Sequence, residues 1–280
     1  MAEQFGDYTL LESLGSGDMG TTYRATDNNT GEEVALKILN KVDSSNEYKR
    51  GSALEIIEFT MSMSHPRMQP ITTAVEADDK LGIVTPIAAN RSLADYIKTN
   101  KVPPKVGLKL VAQLASAIQY LHDQEVAHGS IKPSNILMDA EGNVSLTDLS
   151  MAHLRELGFV PEKPTKQQLF FMQPEKEYHA APEIVGDVFS VAVLTYFLLS
   201  GKLPFNDPDP DARNPVEGGG LPPAMAAVLR KELNPQPRFR YTDLPSFMNA
   251  LKDATQGKVD PETERLFGVA APPPPPETKK

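Results

Sequence analysis

A change of hydrophobic period near Ser92 constrains this chain more than any other feature. Before it, "YTLLESLGSG", "TTYRATD" and "EEVALKILN" are short β-prone runs separated by Gly or Asn turns, with "DNNTGE" (27–32) a strong hairpin signal. One helix interrupts them. In Glu47–Ser64, Leu54, Ile57 and Met61 recur at steps of three and four, and His65-Pro66 is expected to end it, because the residue before proline leaves the α region. "PITTAVEA" and "KLGIVTPI" then read as strands around an "ADD" turn. After Ser92 the period is helical. Ser92 can cap "LADYIKTN", and Pro103–Gln124 carries Leu108, Val111, Ala115, Ile118 and His122 on one face, with Leu114 and Leu121 beside it. Two short strands, Ile136–Asp139 and Val144–Thr147, join through "AEGN". Asp187–Ser200 is apolar nearly all round and is expected to be a central buried helix; Pro222–Glu232 and Thr242–Ala254 are amphipathic. A small β-rich lobe followed by a larger helical one implies a cleft between them.

Two segments are expected to lack regular structure. Asn206–Leu221 is dense in Pro, Asp and Gly, and the tail "AAPPPPPETKK" reads as a polyproline II linker. The chain carries a net charge of −9, which argues against nucleic acid or an anionic membrane as the main partner. It has no cysteine, so disulfides and thiolate metal sites are excluded, and a reducing, cytoplasmic setting is expected. The polar start shows no signal peptide, and the longest apolar run, Val188–Leu199, is too short to span a bilayer.

Five motifs carry chemistry. "GSGDMG" (15–20) lies between two strands, where glycines let backbone approach a phosphate closely. Alone it is weak, since a glycine hairpin has the same pattern; a dinucleotide turn would need a helix next, and "TTYRATD" is a strand. "VALK" (34–37) sets Lys37 in an apolar strand, with Ala35 and Lys37 facing one way, so the ammonium can reach phosphates in a cleft. "HGSIKPSNIL" (128–137) and "TDLS" (147–150) follow, separated by one hairpin, and "APE" (181–183) comes after.

In this order and spacing, the set resembles the eukaryotic-like Ser/Thr protein kinases, especially the bacterial branch, over about residues 7–255. The resemblance implies an α+β, bilobal protein-kinase-like fold: an N-lobe over 1–87 with a five-stranded sheet and one helix, a helical C-lobe over 88–257, and a Pro-rich tail or linker over 258–280. It further implies that Leu14, Gly15, Gly17 and Gly20 cover the phosphates of ATP and that Lys37 pairs with them. Thr22 and Ala35 would roof the adenine, Leu137 would floor it, Thr85 would stand as gatekeeper, and Pro86 and Ala88 would meet the base edge with their backbones. Asn135 and Asp148 match the two positions that hold Mg2+. Glu183 and Arg240 match a bracing ion pair, Asp187 an anchor at the start of the central helix, and His128 a structural histidine. His65 reads as a helix terminator, and His122, His153 and His179 show no metal-ligand spacing.

Several positions depart from that pattern. Ser130 stands where an aspartate takes the acceptor's proton, and a serine hydroxyl is no base near pH 7. Gly129 replaces an arginine that reads an activation-loop phosphate. Ser150 replaces a glycine, and a serine resists positive φ, so the Asp148 loop is expected to be held differently. Lys176 falls where a threonine of the acceptor-binding loop belongs. The helix glutamate that should pair with Lys37 has no clear match: Ile56 occupies its slot, with Glu55 one residue off and Glu58 about a turn late. Asn206–Leu221 is too short and too rich in Pro and Gly for the usual substrate-docking helix. The expectation is therefore a pseudokinase that binds nucleotide or a protein partner with little or no phosphoryl transfer. The alternative is a slow or atypical Ser/Thr protein kinase. The tail is also expected to lead toward a membrane or sensor region of a longer receptor.

Overall fold

The computed structural model describes residues 3–17, 19–40, 47–87, 91–159, 164–177, 179–209, 212–213 and 219–267. The first lobe contains β1 (Gln4–Phe5), β2 (Tyr8–Gly17), β3 (Gly20–Asp27), β4 (Glu33–Leu39), α1 (Glu47–Met61), β5 (Thr73–Ala77) and β6 (Lys80–Pro86). All pairings are antiparallel in a sheet ordered β1-β2-β3-β4-β6-β5. The expected five strands are thus six. β1 has only two residues, too few to show alternation, yet Phe5 is buried with Tyr8, Leu10, Ala25, Leu36 and Val84 on one face of the sheet. The "ADD" turn holds Asp78 and Asp79 at φ 51° and 56°, a pair of left-handed residues suited to a two-residue hairpin.

α1 stops at Met61, before the proline expected to end it. Its last turn carries hydroxyls that compete for the backbone: Thr60 Oγ1 donates to the Ile56 carbonyl at 2.8 Å and Ser62 Oγ to the Phe59 carbonyl at 2.6 Å. The chain then ties the lobes together. Leu146 N donates to Arg67 O and Gln69 N to Leu146 O, both at 2.8 Å.

The second lobe holds β7 (Arg91–Ser92), α2 (Leu93–Thr99), α3 (Pro104–Asp123), β8 (Ile136–Met138), β9 (Val144–Leu146), α4 (Met151–Glu156), α5 (Lys166–Phe171), α6 (Ile184–Ser200), α7 (Pro223–Glu232), α8 (Leu244–Ala254) and α9 (Pro261–Phe267). Ser92 caps α2 as its position predicts, accepting from Asp95 N. All seven apolar-face residues named in α3 are buried, and α6 lies against them with eleven buried residues, so these two helices form the core. None of the helices among the described residues is long and apolar enough to cross a membrane.

One expectation changes here. Residues 261–267, assigned to a linker, form α9. Asp260 caps it, accepting from Thr263 N and Oγ1, and Thr263 and Phe267 are buried. Lys109 of α3 pairs with Glu262 at 2.8 Å. The proline run itself lies outside the described residues. Within Asn206–Leu221, Arg213 is seated rather than loose. Its guanidinium donates to the Met172 carbonyl at 2.8 Å and to that of Leu169, and lies over the Phe205 ring. Burial lowers its pKa to about 10.

Candidate functional site

The wall toward the first lobe follows from strand register. Thr22 pairs with Lys37, and Ala35 with Thr85, so these four side chains share the face opposite the Phe5 cluster. Gly15 pairs with Thr22 and Gly17 with Gly20 in the hairpin above them, and Leu14 is half exposed on its rim. The three glycines are not equivalent. A Cβ on Gly15 or Gly17 would meet nothing within 4 Å, whereas one on Gly20, at φ 155°, would sit 2.1 Å from the Ile38 carbonyl oxygen. Gly20 is needed to close the β3–β4 pair; the other two leave open space where a phosphate can approach.

Lys37 Nζ contacts both Asp148 carboxylate oxygens at 2.6 Å, across the two lobes. Burial raises the Asp148 carboxyl, but the charge and hydrogen bonds of Lys37, with help from Lys132 and His128, outweigh it and hold the group below the ordinary carboxylate range. Asp148 and Ser150 both adopt left-handed backbone, at φ 63° and 66°. The expectation that serine would hold this loop differently is thereby corrected. Ser150 takes the glycine-like conformation, its hydroxyl donates to the Leu149 carbonyl at 2.5 Å, and α4 begins at the next residue.

No acid of α1 approaches Lys37. Glu55 and Glu58 are exposed, while Ile56 faces an apolar cavity with Phe59, Met63, His128 and Leu149. Asn135 ends a 3-10 turn over Pro133–Asn135 and is buried. Its Nδ2 donates to the Ser130 carbonyl at 2.8 Å and to Ser130 Oγ at 3.1 Å, and its Oδ1 accepts from Ser134 Oγ at 3.2 Å. The sites matched to adenine are only partly free. The Pro86 carbonyl accepts from Gln69 Nε2 at 2.8 Å, Leu137 is half-buried on β8, and Ala88 lies outside the described residues.

The opposite wall is more heavily rebuilt. Asp187, fully buried in the first turn of α6, accepts from the backbone of His128 at 2.7 Å and Gly129 at 2.8 Å, and meets His122 Nε2 at 3.0 Å. His128 Nε2 meets the Thr147 carbonyl at 3.0 Å. Gly129 is at φ 67°, and a Cβ there would lie 2.4 Å from Pro182 Cβ and 2.6 Å from Ala152 Cβ. The space an arginine would cross is filled by α4 and the "APE" proline. Buried Arg155 of α4 donates to the Gly129 carbonyl from the far side, at 3.4 Å.

The predicted Glu183–Arg240 brace does not form. Arg240 instead makes a bidentate pair with Glu175, at 2.7 and 2.8 Å, and Glu183 pairs with Lys176 at 2.5 Å. The fork of Arg240 is almost fully buried and reaches the residue just before Lys176, so the loop is gripped one step earlier and Glu183 is left to the neighbouring lysine. Sequence reasoning also missed Gln69 and Arg155, and neither carries a local pattern that marks it. Among the described residues no cluster of three or more His, Asp or Glu groups could hold a metal, and His65 has its pKa lowered to about 4 by burial and by Arg67.

Comparison with known proteins agrees with this geometry. The family model described as "Protein kinase domain" matches residues 8–244. The chain is 30% identical to the serine/threonine-protein kinase PrkC of Bacillus subtilis over 72% of its own length and 31% of that protein's. It is 29% identical to the carbon catabolite-derepressing protein kinase of Candida albicans, over 74% of this chain and 33% of that one. The chain therefore spans about a third of the length of these curated relatives. In fold it is similar to the PknI kinase domain of Mycobacterium tuberculosis, with a TM-score of 0.72 at 19% identity, covering 91% of this chain and 98% of that one. A structure of Rad53 in complex with AMP-PNP matches with a TM-score of 0.69 at 22% identity, covering 88% of this chain and 64% of that one.

Proposed function

The chain belongs to the protein kinase domain family, and on that premise we propose that it is a slow Ser/Thr protein kinase, moving the terminal phosphoryl group of ATP to a protein hydroxyl. The observation that carries this reading is the Lys37–Asp148 contact at 2.6 Å between segments 111 residues apart, with neighbouring Thr147 N donating to the Asn135 carbonyl at 3.0 Å and Asn135 Nδ2 to Ser130 at 2.8 and 3.1 Å. The relatives named above are kinases by name, which weighs toward transfer and away from the silent module that Ser130 suggests. The lobes meeting at 87–88 would close on the nucleotide, and the acceptor would be a protein in the cytoplasm.

Each residue has a physical part. Gly15 and Gly17 leave room for the phosphates beneath the β2–β3 hairpin. Thr22, Ala35, Leu137, Thr85 and the backbone at Pro86 and Ala88 would enclose the adenine. Lys37 and Lys132 supply positive charge where negative charge sits on the triphosphate. Asp148 aims Lys37, and Asn135 shapes the Ser130 turn. Phosphoryl transfer rests mostly on position and charge, so losing the base slows it without abolishing it. Ser130 can orient an acceptor hydroxyl but cannot take its proton at neutral pH, which costs on the order of 10²–10⁴ in rate. Mg2+ is implied by the family, yet both residues matched to it are otherwise engaged: Asp148 by an ammonium on both oxygens, Asn135 by three hydrogen bonds. These contacts leave lone pairs on the Asp148 carboxylate and on Asn135 Oδ1, oxygen donors of the kind Mg2+ takes, so the two residues would hold the ion beside the phosphates.

The test is transfer of label from ATP to a panel of Ser/Thr peptides and to the protein itself, with Ser130→Asp beside the parent chain. The reading expects weak labelling that Lys37→Met removes and Ser130→Asp raises by about a hundredfold or more. A second reading, a pseudokinase that only holds nucleotide and a protein partner, is favoured by the Asn135–Ser130 contacts, which keep the loop in shape without a carboxylate. Ligand-induced thermal stabilisation with no labelling, in the parent and in Ser130→Asp alike, would establish it in place of the first.

A further inference from the structure

We propose that Gln173 selects the protein to be phosphorylated, by taking a hydrogen bond from a short neutral side chain, Asn above all, on a residue flanking the reacting hydroxyl. This rests on the protein-kinase reading above and deepens it. Gln173 and Ser130 line one cavity of about 50 Å³, between the 128–135 loop and the start of α6. A water molecule needs roughly 10–15 Å³ of such space, so a short side chain has room there. Gln173 is 6% exposed, and its Oε1 is buried without a hydrogen-bond partner. A buried amide oxygen left alone is unfavourable, so a guest that brings a donor to it is preferred over one that does not.

The backbone that carries this amide is fixed on both sides of α5. At the start of the helix, Thr165 N donates to Gln168 Oε1 at 2.6 Å and Gln168 N to Thr165 Oγ1 at 3.2 Å, a capping box. At its end, Arg213 donates to the carbonyls of Leu169 and Met172, and Ser190 Oγ to that of Phe171 at 2.7 Å. α6 sets the limit beyond: a Cβ on Gly186 would lie 3.0 Å from Cδ, Nε2 and Oε1 of Gln173, so the flat amide rests against that glycine. The chemistry of the guest follows by elimination. An acidic side chain brings no donor for Oε1, and an apolar one leaves it unpaired. A cationic one would bury a charge among Lys132, Arg155 and Lys176, three basic groups against Glu177 and Glu183. A neutral donor remains, and Asn carries two N–H groups on a short stem.

The experiment uses the whole chain and fluorescent peptides with one central Ser, in which each flanking position is set in turn to Asn, Leu, Lys or Glu. Binding is read by anisotropy, and transfer of label from ATP is followed alongside. At one flank the Asn peptide is expected to bind about tenfold more tightly than the Leu peptide. Gln173→Met should abolish that preference while its melting curve overlays the parent's. Gln173→Glu keeps an oxygen that accepts and adds a charge, so it should move the preference to Lys. A parent chain that binds Asn and Leu peptides alike, or a preference that survives Gln173→Met, overturns this inference; labelling that continues in either case leaves the kinase reading standing. Selective binding with no labelling removes the transfer reading and keeps Gln173 as the reader of a bound peptide. If no peptide binds, the inference fails, and labelling of the chain itself decides the kinase reading alone.

Discussion

On the wall proposed to face a nucleotide, Gly15 and Gly17 border open space, Thr22, Ala35 and Thr85 share one sheet face, and the lysine is met by the Asp148 carboxylate. On the acceptor side, Gly129 is wedged against Ala152 and Pro182, Arg155 reaches the loop from behind, and two ion pairs have exchanged partners. The first wall keeps the family's residues in a loose geometry; the second has lost them in a tight one. This teaches that position 129 is closed to any side chain here: Ala152 and Pro182 pack where a Cβ would stand, and that packing depends on the glycine.

The largest expected effect tests that dependence. Gly129→Ala places a Cβ at φ 67° and 2.4 Å from Pro182. Left-handed backbone and overpacking together should cost about 4 kcal/mol in denaturant unfolding. A loss under about 1 kcal/mol would mean that α4 and Pro182 yield easily, and the contrast between the walls would fail.

Next come the exchanged ion pairs. Arg240→Met strips Glu175 of its partner beside a nearly buried guanidinium site and should cost about 3 kcal/mol. Glu183→Gln removes one half of a partly exposed pair and should cost less than about 1 kcal/mol. If the order were reversed, Glu183 would be the true brace, as the family pattern has it.

The two walls also carry opposite pH signatures. Glu232, behind Arg240, is buried and accepts from Tyr241 N at 2.9 Å; burial raises its pKa to about 7 against that bond and the nearby cations. The folded chain then binds more protons than the unfolded one between pH 4.5 and 7. Stability from this group is full below 4.5 and declines by about 3 kcal/mol as pH rises through 7. His65, near the tie between the lobes, is shifted down from 6.5 to about 4, so its contribution is full above 6.5 and is lost as pH falls through 4. The two slopes oppose each other where they overlap. Glu232→Gln keeps an acceptor for Tyr241 N and removes one slope, so its unfolding free energy should rise with pH from about 4 to 6.5 while the parent stays nearly flat. An unchanged profile would show that Glu232 does not titrate in this range.

What the sequence made legible divides along the same line. Strands, the α3 and α6 core and the Ser92 cap follow from periodicity and local chemistry, and so does the placement of Lys37 on its sheet face. Partner choice does not follow. Arg240 meets Glu175 instead of Glu183 because of where a buried guanidinium fork lands in space, which no spacing encodes. Lys37 meets Asp148, 111 residues away, while Glu55 and Glu58 of α1 stay exposed and Ile56 packs into an apolar cavity, an outcome of tertiary packing that local periodicity does not carry. α9 escaped notice because its seven residues are held by contacts with α3, far away in the chain. Ser150 shows the limit of a conformational rule: a single left-handed serine is tolerated when its hydroxyl finds a carbonyl and a helix starts behind it.

The smallest expected effect separates glycines within one motif. Gly15→Ala adds a methyl where nothing lies within 4 Å, so unfolding should shift by less than about 0.5 kcal/mol. Gly20→Ala, by contrast, drives a methyl to 2.1 Å from the Ile38 carbonyl oxygen and should disturb the β3–β4 pairing, as Gly129→Ala disturbs the other wall. If Gly15 serves the phosphates, its alanine variant should lose ATP affinity in a calorimetric titration while its melting curve overlays that of the parent. A variant that binds ATP as well as the parent would show that the open space over Gly15 is not where phosphates sit, and the nucleotide wall would then be no better fitted to its ligand than the acceptor wall is.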